Sequence, residues 1–161
     1  MGSSTQRAQE NVRDYPRPPR LEACGDEIRV EWNGKVVARS TRAYRILETY
    51  HPPTYYIPMA DVDAALLRPS SRASFCEWKG RAAYYDLVDG GAVVADACWT
   101  YPAPSAAFGA VKDALCFYPS RVDACYVAGE RVEAQPGDFY GGWVTSWITG
   151  PIKGAPGTRF W

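Results

Sequence analysis

The 161-residue sequence contains a single histidine, His51, and no two of its five cysteines form a Cys-x-x-Cys pair. A recognisable zinc set needs clustered Cys and His ligands, and a pair of Cys-x-x-Cys knuckles would demand spacings this chain lacks. The standard phosphate loops, Gly-x-x-x-x-Gly-Lys-[Ser/Thr] and Gly-x-Gly-x-x-Gly, are missing as well. So is any excess of charge, since 18 Lys and Arg balance 18 Asp and Glu. Nucleic-acid binders draw most of their nonspecific affinity from neutralised phosphates, so a general nucleic-acid role is disfavoured. No apolar run approaches the roughly 20 residues that span a bilayer. The opening MGSSTQRAQENVRDYPRPPR has no apolar region of the secretory type. MGSSTQ does fit the loose myristoylation pattern. The expectation is a cytoplasmic protein with a disordered start and neither a membrane nor a nucleic-acid partner.

Cys24, Cys76, Cys98, Cys116 and Cys125 are odd in number. They read as reduced thiols, several of them buried as small hydrophobes.

What the sequence does contain is aromatic surface. Eleven tyrosines, six tryptophans and five phenylalanines bring the aromatic share to 14%, in a chain that is 47% hydrophobic. Tyr and Trp combine an apolar body with a polar tip, which suits a core, a wet pocket or an interface. The length is that of one domain able to bury roughly 70% of its unfolded surface.

Residues 1–22 are polar and Pro-rich and read as an arm. From Glu27, EIRVEW alternates, Asn33-Gly34 signals a hairpin and KVVARST returns. YRILE and TYYIP are further strands, and ADVDAALL reads as one short helix with Asp61 as a cap or first-turn residue. RASFCEW, RAAYYDLV and AVVADACWTY follow as strands, with turns at Gly80 and at Asp89-Gly90-Gly91. PSAAFGAVKDAL gives a helical turn; ALCFYP and DACYVAGERVEA add two or three strands around Ala128-Gly129. From Gln135 the chain is Gly- and aromatic-rich without either period, and is expected to wrap back over the domain. The predicted architecture is mainly β: a compact antiparallel meander or open barrel-like sheet over residues 23–134, with one or two short helices and an irregular extension over 135–161.

Several blocks within residues 28–133 carry a resemblance. VEWNGKVVARSTR, LETYHPPTYYIP, FCEWKGRAAYY, ACWTYPAP and LCFYPSRVD resemble the successive signature blocks of a family of domains of unknown function, DUF427. FYGGWVTS and GPIKGAPGT are similar to the C-terminal extension of one of its subgroups. The resemblance implies a compact β fold with an open concave face, and implies little about chemistry. The family also carries a nucleotidyltransferase-like label. The usual apparatus, a Gly-Ser pair followed by two closely spaced aspartates for Mg²⁺, has no counterpart in the sequence, so nucleotide transfer ranks last.

Three groups of residues could carry chemistry. His51 sits in Glu48-Thr-Tyr-His51-Pro-Pro, where the prolines stiffen its backbone and forbid a helix. A histidine is the side chain most easily poised as acid or base near neutral pH. Glu48 would face the opposite side of an extended chain and needs a bend to reach it. The structural alternative is a histidine bonded to backbone. Cys76-Glu77-Trp78-Lys79-Gly80 is the second group: a Cys76/His51 couple would suit acyl or thiol chemistry, and Lys79 with Arg121 could clamp a carboxylate or phosphate. Alternatively Cys76 and Trp78 are core and Lys79 is solvated. In a continuous strand Cys76 and Lys79 point to opposite faces. The third group is the aromatic pairs Tyr55-Tyr56, Tyr84-Tyr85, Trp99-x-Tyr101 and Phe117-Tyr118. In each adjacent pair one ring should face in and one out, forming a stacking pocket or a homodimer interface.

The reading that follows is a small-molecule-binding domain, enzymatic or not, with no cofactor specified by the sequence. Its pocket is built from His51, Glu48, Tyr55 or Tyr56, Trp78, Lys79, Trp99, Tyr101 and Arg121; in an enzyme His51, Lys79 and Cys76 would be the catalytic residues. The alternative is a non-catalytic interaction or homodimerisation module.

Overall fold

The computed structural model describes residues 7–76, 78–137 and 140–154. The MGSSTQ pattern, Glu77 and the last seven residues lie outside the described residues. The chain is mainly β, its sheets are antiparallel but for one short pair, and no barrel closes. No helix among the described residues is long and apolar enough to cross a membrane.

Two strands come from the segment expected to be an arm, β1 (Glu10–Asn11) and β2 (Arg20–Cys24). Between them Val12 is fully buried and Tyr15 nearly so. The arm is therefore part of the core from residue 10 onward: its few apolar side chains find a hydrophobic slot that no local pattern announces. Next come β3 (Ile28–Trp32) and β4 (Lys35–Ser40). Ile28, Val30 and Trp32 alternate inward, and Asn33 and Gly34 both take positive φ, 53° and 75°. That pair of left-handed residues makes the turn whose twist matches the strands it joins.

β5 (Ala43–Leu47) and β6 (Thr54–Tyr56) pair with β2 in the order β2-β5-β6. ADVDAALL does not form the single helix expected of it. Two separate 3-10 turns, Met59–Asp61 and Ala64–Leu66, flank Val62, which is extended and bridges to Ala38 of β4. Pairing with the sheet outweighs the weak helix propensity of eight residues. Of the two roles expected of Asp61, it takes the first-turn position and not the cap. Its carboxylate accepts from Ser40 and Arg42, while Asp63 Oδ1 caps the second turn through Ala65 N at 3.2 Å.

A meander of long strands follows: β7 (Leu67–Cys76), β8 (Gly80–Asp89), β9 (Ala92–Thr100) and the short β10 (Cys116–Phe117), in the order β10-β9-β8-β7. β11 (Ala124–Val127) returns to lie beside β3, with β12 (Glu130–Arg131) outside it. Finally β13 (Glu133–Ala134) pairs with β14 (Trp143–Val144), and β15 (Ile148–Thr149) runs parallel to β1. The described part of the extension thus wraps the domain through hydrogen bonds at two places.

The buried side chains fall into two clusters. The larger holds Ile28, Val30, Tyr55, Leu87, Phe117 and Trp143; the smaller holds Tyr56, Tyr84, Trp99, Tyr101, Phe108 and Tyr118. The sequence pairs explain the split. Adjacent strand residues point to opposite faces, so Tyr55 enters one cluster and Tyr56 the other, as do Phe117 and Tyr118. Both members of each of these pairs are buried, because the strands carrying them are covered on both sides. The expected outward-facing ring faces a second, smaller core.

Candidate functional site

A cavity of about 290 Å³ opens over the smaller cluster. One part of its lining is aromatic. Tyr56 meets Trp99 edge-on at 6.1 Å between ring centroids and Tyr101 at 6.0 Å, and Trp99 lies 4.7 Å from Tyr118. Trp99 Nε1 donates to Tyr56 Oη at 3.2 Å, and the Ser74 and Tyr84 hydroxyls share a hydrogen bond of 2.8 Å. Such bonds satisfy the polar tips of buried Tyr and Trp and fix the rings in place.

The other part of the lining is polar and begins where β5 ends. His51 N donates to Glu48 O at 3.0 Å, closing a turn in which Tyr50 takes φ 67°. This bend brings Glu48 round to the histidine, which an extended chain could not do. Glu48 Oε2 stands 3.9 Å from His51 Nε2, and its Oε1 stands 3.9 Å from Lys79 Nζ. Arg17 Nε approaches the same carboxylate at 3.8 Å. All three separations exceed hydrogen-bonding distance.

Gln135 sets the state of the imidazole. The buried Gly142 N–H needs an acceptor and takes Gln135 Oε1 at 3.0 Å; the Lys153 carbonyl needs a donor and takes Gln135 Nε2 at 2.8 Å. The amide orientation is thereby settled, and its second N–H points at His51 Nδ1, 3.0 Å away. Nδ1 must accept, so the proton of the neutral ring resides on Nε2. Burial, then the positive charges of Lys153, Lys79 and Arg17, push His51 down to about 4. At neutral pH the ring is uncharged, its one lone pair is occupied, and it has an N–H to offer the cavity. Tyr140 lies 5.0 Å from the imidazole, with Lys153 Nζ 5.7 Å from the Tyr140 ring centre.

Of the residues singled out in the sequence, the fold brings Glu48, His51, Tyr56, Cys76, Lys79, Trp99 and Tyr101 to this one cavity. Cys76 and Lys79 share it because β7 stops at Cys76 and the chain turns, so strand alternation no longer separates them. Three others are elsewhere. Tyr55 belongs to the main core, its ring 5.1 Å from Trp143. Trp78 is 37% exposed and its carbonyl accepts from Ser105 Oγ. Arg121 donates to the Asp96 carbonyl at 2.7 Å and stacks on Tyr118 at 4.0 Å. Arg121 is thus not among the cavity residues, and the lysines that line it are Lys79 and Lys153. Sequence reading missed Gln135, Tyr140, Gly141 and Lys153, all from the extension, and Tyr84 and Tyr118, which were noted as pairs but not assigned. The signal was present in FYGGW, a Gly-aromatic run too apolar for a free tail.

Gly141 lets that extension rest on the cavity wall. A Cβ there would meet Trp99 Cη2 at 2.4 Å, and Trp99 cannot retreat because Tyr56 and Tyr118 pack against it. Gly141→Ala is expected to cost about 1–3 kcal/mol, the range for overpacking a filled site, measured by denaturant unfolding. A variant as stable as the parent would mean that the extension does not lie on Trp99.

Among the described residues no three His, Cys, Asp or Glu side chains converge as metal ligands. No curated protein matches the chain. The model of one family, described as a domain of unknown function (DUF427), matches residues 20–128. Glu48, His51, Lys79 and the ring-bearing walls fall inside the matched region, while Gln135, Tyr140 and Lys153 fall beyond it. With more than half of its length matched, from the strand that opens β2-β5-β6 to the one that pairs with β3, the chain belongs to the DUF427 family.

Proposed function

We propose that the chain binds a small planar molecule in the cavity over Trp99. The observation that carries this reading is the pairing of an aromatic wall with two donors that lack close partners. Among the described residues, neither His51 Nε2 nor Lys79 Nζ makes a hydrogen bond, and the Glu48 carboxylate stands 3.9 Å from each. Their side chains are only 16% and 12% exposed. Neither atom belongs to the fully buried unpaired groups of the described residues, so each can meet water, and a ligand acceptor would take that water's place. Pockets of this type combine apolar walls with a few convergent polar groups.

In this reading His51 is a hydrogen-bond donor rather than an acid or base. Its Nδ1 is taken by Gln135, and its pKa near 4 keeps it uncharged. No hydrogen bond joins Cys76 to His51 or Lys79 among the described residues, so binding rests on the imidazole and the ammonium alone.

The test is a titration with neutral and charged one- and two-ring aromatic compounds, read by the ring resonances of Tyr56 and Tyr101. Saturable shifts at a Kd of about 1 mM or tighter are expected for some of them, an affinity of roughly 4 kcal/mol. If none moves those rings, the cavity is not a binding site. A second reading, a protein-interaction or homodimerisation module, is favoured by Phe75, which is 78% exposed on the outer strand β7. It gains if no compound binds and the solution mass is that of a dimer.

A further inference from the structure

We infer that the ligand is an aromatic monocarboxylate of one or two rings, its carboxylate held by Lys79 and the His51 Nε2–H and its rings by the Trp99 wall. This rests on the binding reading above and names the ligand class.

The charge balance of the lining comes first. Lys79 and Lys153 face one carboxylate, Glu48, and that carboxylate also has Arg17 at 3.8 Å. Glu48 is thus already opposed by cations on two sides, and the cavity keeps a positive excess. Burial first, and then Lys153, Lys79 and Arg17, lower the His51 pKa, so these cations act on the imidazole as well. An anion placed there meets an ammonium, a second ammonium near Tyr140 and a neutral N–H.

Donor and acceptor roles come next. Because Gln135 occupies Nδ1, the imidazole can only donate toward the cavity. Lys79 can only donate as well. The complementary ligand group must accept from both: an ammonium cannot, an amide can only through one uncharged oxygen, and a carboxylate does so with two oxygens and a charge that strengthens each bond. Size and shape set the remainder. A volume of about 290 Å³ lies at the low end of ligand sites, which run from roughly 300 to 1,000 Å³. That suits a body of one or two rings. Trp99, Tyr56 and Tyr101 line the cavity, and an aromatic lining favours an aromatic body over a branched aliphatic one.

The probes are 2-naphthoate and 2-naphthamide, equal in shape and differing in charge, titrated into the full chain by calorimetry and by the Tyr56 and Tyr101 ring resonances. The acid is expected to bind at least about 10-fold more tightly, the ratio supplied by exchanging one neutral hydrogen bond for a charge-assisted one. In Lys79→Met the preference should fall to within about 3-fold of unity, with ring shifts retained. The comparison on the parent chain stands even if that variant folds poorly. Equal or tighter binding of the amide, with the same rings shifting, overturns the carboxylate inference and leaves the pocket intact. Failure of both probes to shift the rings overturns the pocket and the inference together.

Discussion

Replacing Trp143 by alanine is expected to cost about 3–5 kcal/mol of folding stability, the range for removing a fully buried aromatic side chain. Trp143 is 0% exposed. Its indole Nε1 donates to the Phe117 carbonyl at 2.9 Å, its backbone N donates to the Pro53 carbonyl at 2.8 Å, and its ring packs on Tyr55. It therefore ties the C-terminal extension to β10 through Phe117 and to the segment just after the His51 turn through Pro53 and Tyr55. Trp143→Phe keeps most of the apolar body and forfeits the indole bond. It should lose less, about 1–3 kcal/mol, the cost of leaving a buried carbonyl unpaired together with a smaller cavity. Denaturant unfolding followed by far-UV circular dichroism measures both. The losses should appear in one cooperative transition. A loss below about 1 kcal/mol for the alanine variant, or a separate early transition for the extension, would make residues 135–154 an appendage rather than part of the core.

Acid should destabilise the protein through His51. The ordinary histidine value is about 6.5, and in the folded chain burial and three nearby cations push it to about 4. Between those values the unfolded chain binds one more proton than the folded one, so stability rises with pH across that window and falls on acidification. From pH 7 to about 4.5 the histidine alone should remove roughly 2–3 kcal/mol, at about 1.36 kcal/mol per pH unit. Glu10, whose carboxyl is held down by Arg45 and Tyr15 against the upward pull of burial, adds a further loss at the acid end. Its sign is the same, because a depressed carboxylate is protonated first in the unfolded chain. The histidine part is isolated by comparing the parent with His51→Gln at each pH: their stability difference should shift by 2–3 kcal/mol in favour of the variant between pH 7 and 4.5. As the chain has one histidine, its Cε1–H resonance gives the titration directly. A midpoint near 6.5 would mean that the ring is solvated and that Gln135 does not hold it.

Much of the architecture was written in local patterns. The alternation of EIRVEW, the Asn33-Gly34 turn, the Asp89-Gly90-Gly91 turn and the long strands around them depend on neighbours in sequence, because side-chain period and positive φ are local properties. Half of the site was legible for the same reason. His51 stood out as the lone histidine fixed by two prolines, and the aromatic pairs announced rings that could not all enter one core. The strand rule failed at Cys76 and Lys79 because it presumes the strand continues, and β7 ends there.

Composition and periodicity by themselves determined that the chain is mainly β, that it carries more aromatic surface than one core needs, and that His51 and Lys79 were candidates for a site. Tertiary structure alone decided which residues meet. The arm became core because Val12 and Tyr15 found a slot made by distant strands. Arg121 left the site because a carbonyl and a ring drew it away. Gln135, 84 residues from His51, entered the site because β13 pairs with β14 and turns its amide onto the imidazole. Hydrogen-bond partners so far apart leave no periodic trace in a single sequence. Yet the partner, not the histidine, determines which ring nitrogen carries the proton, and so whether the site donates or accepts.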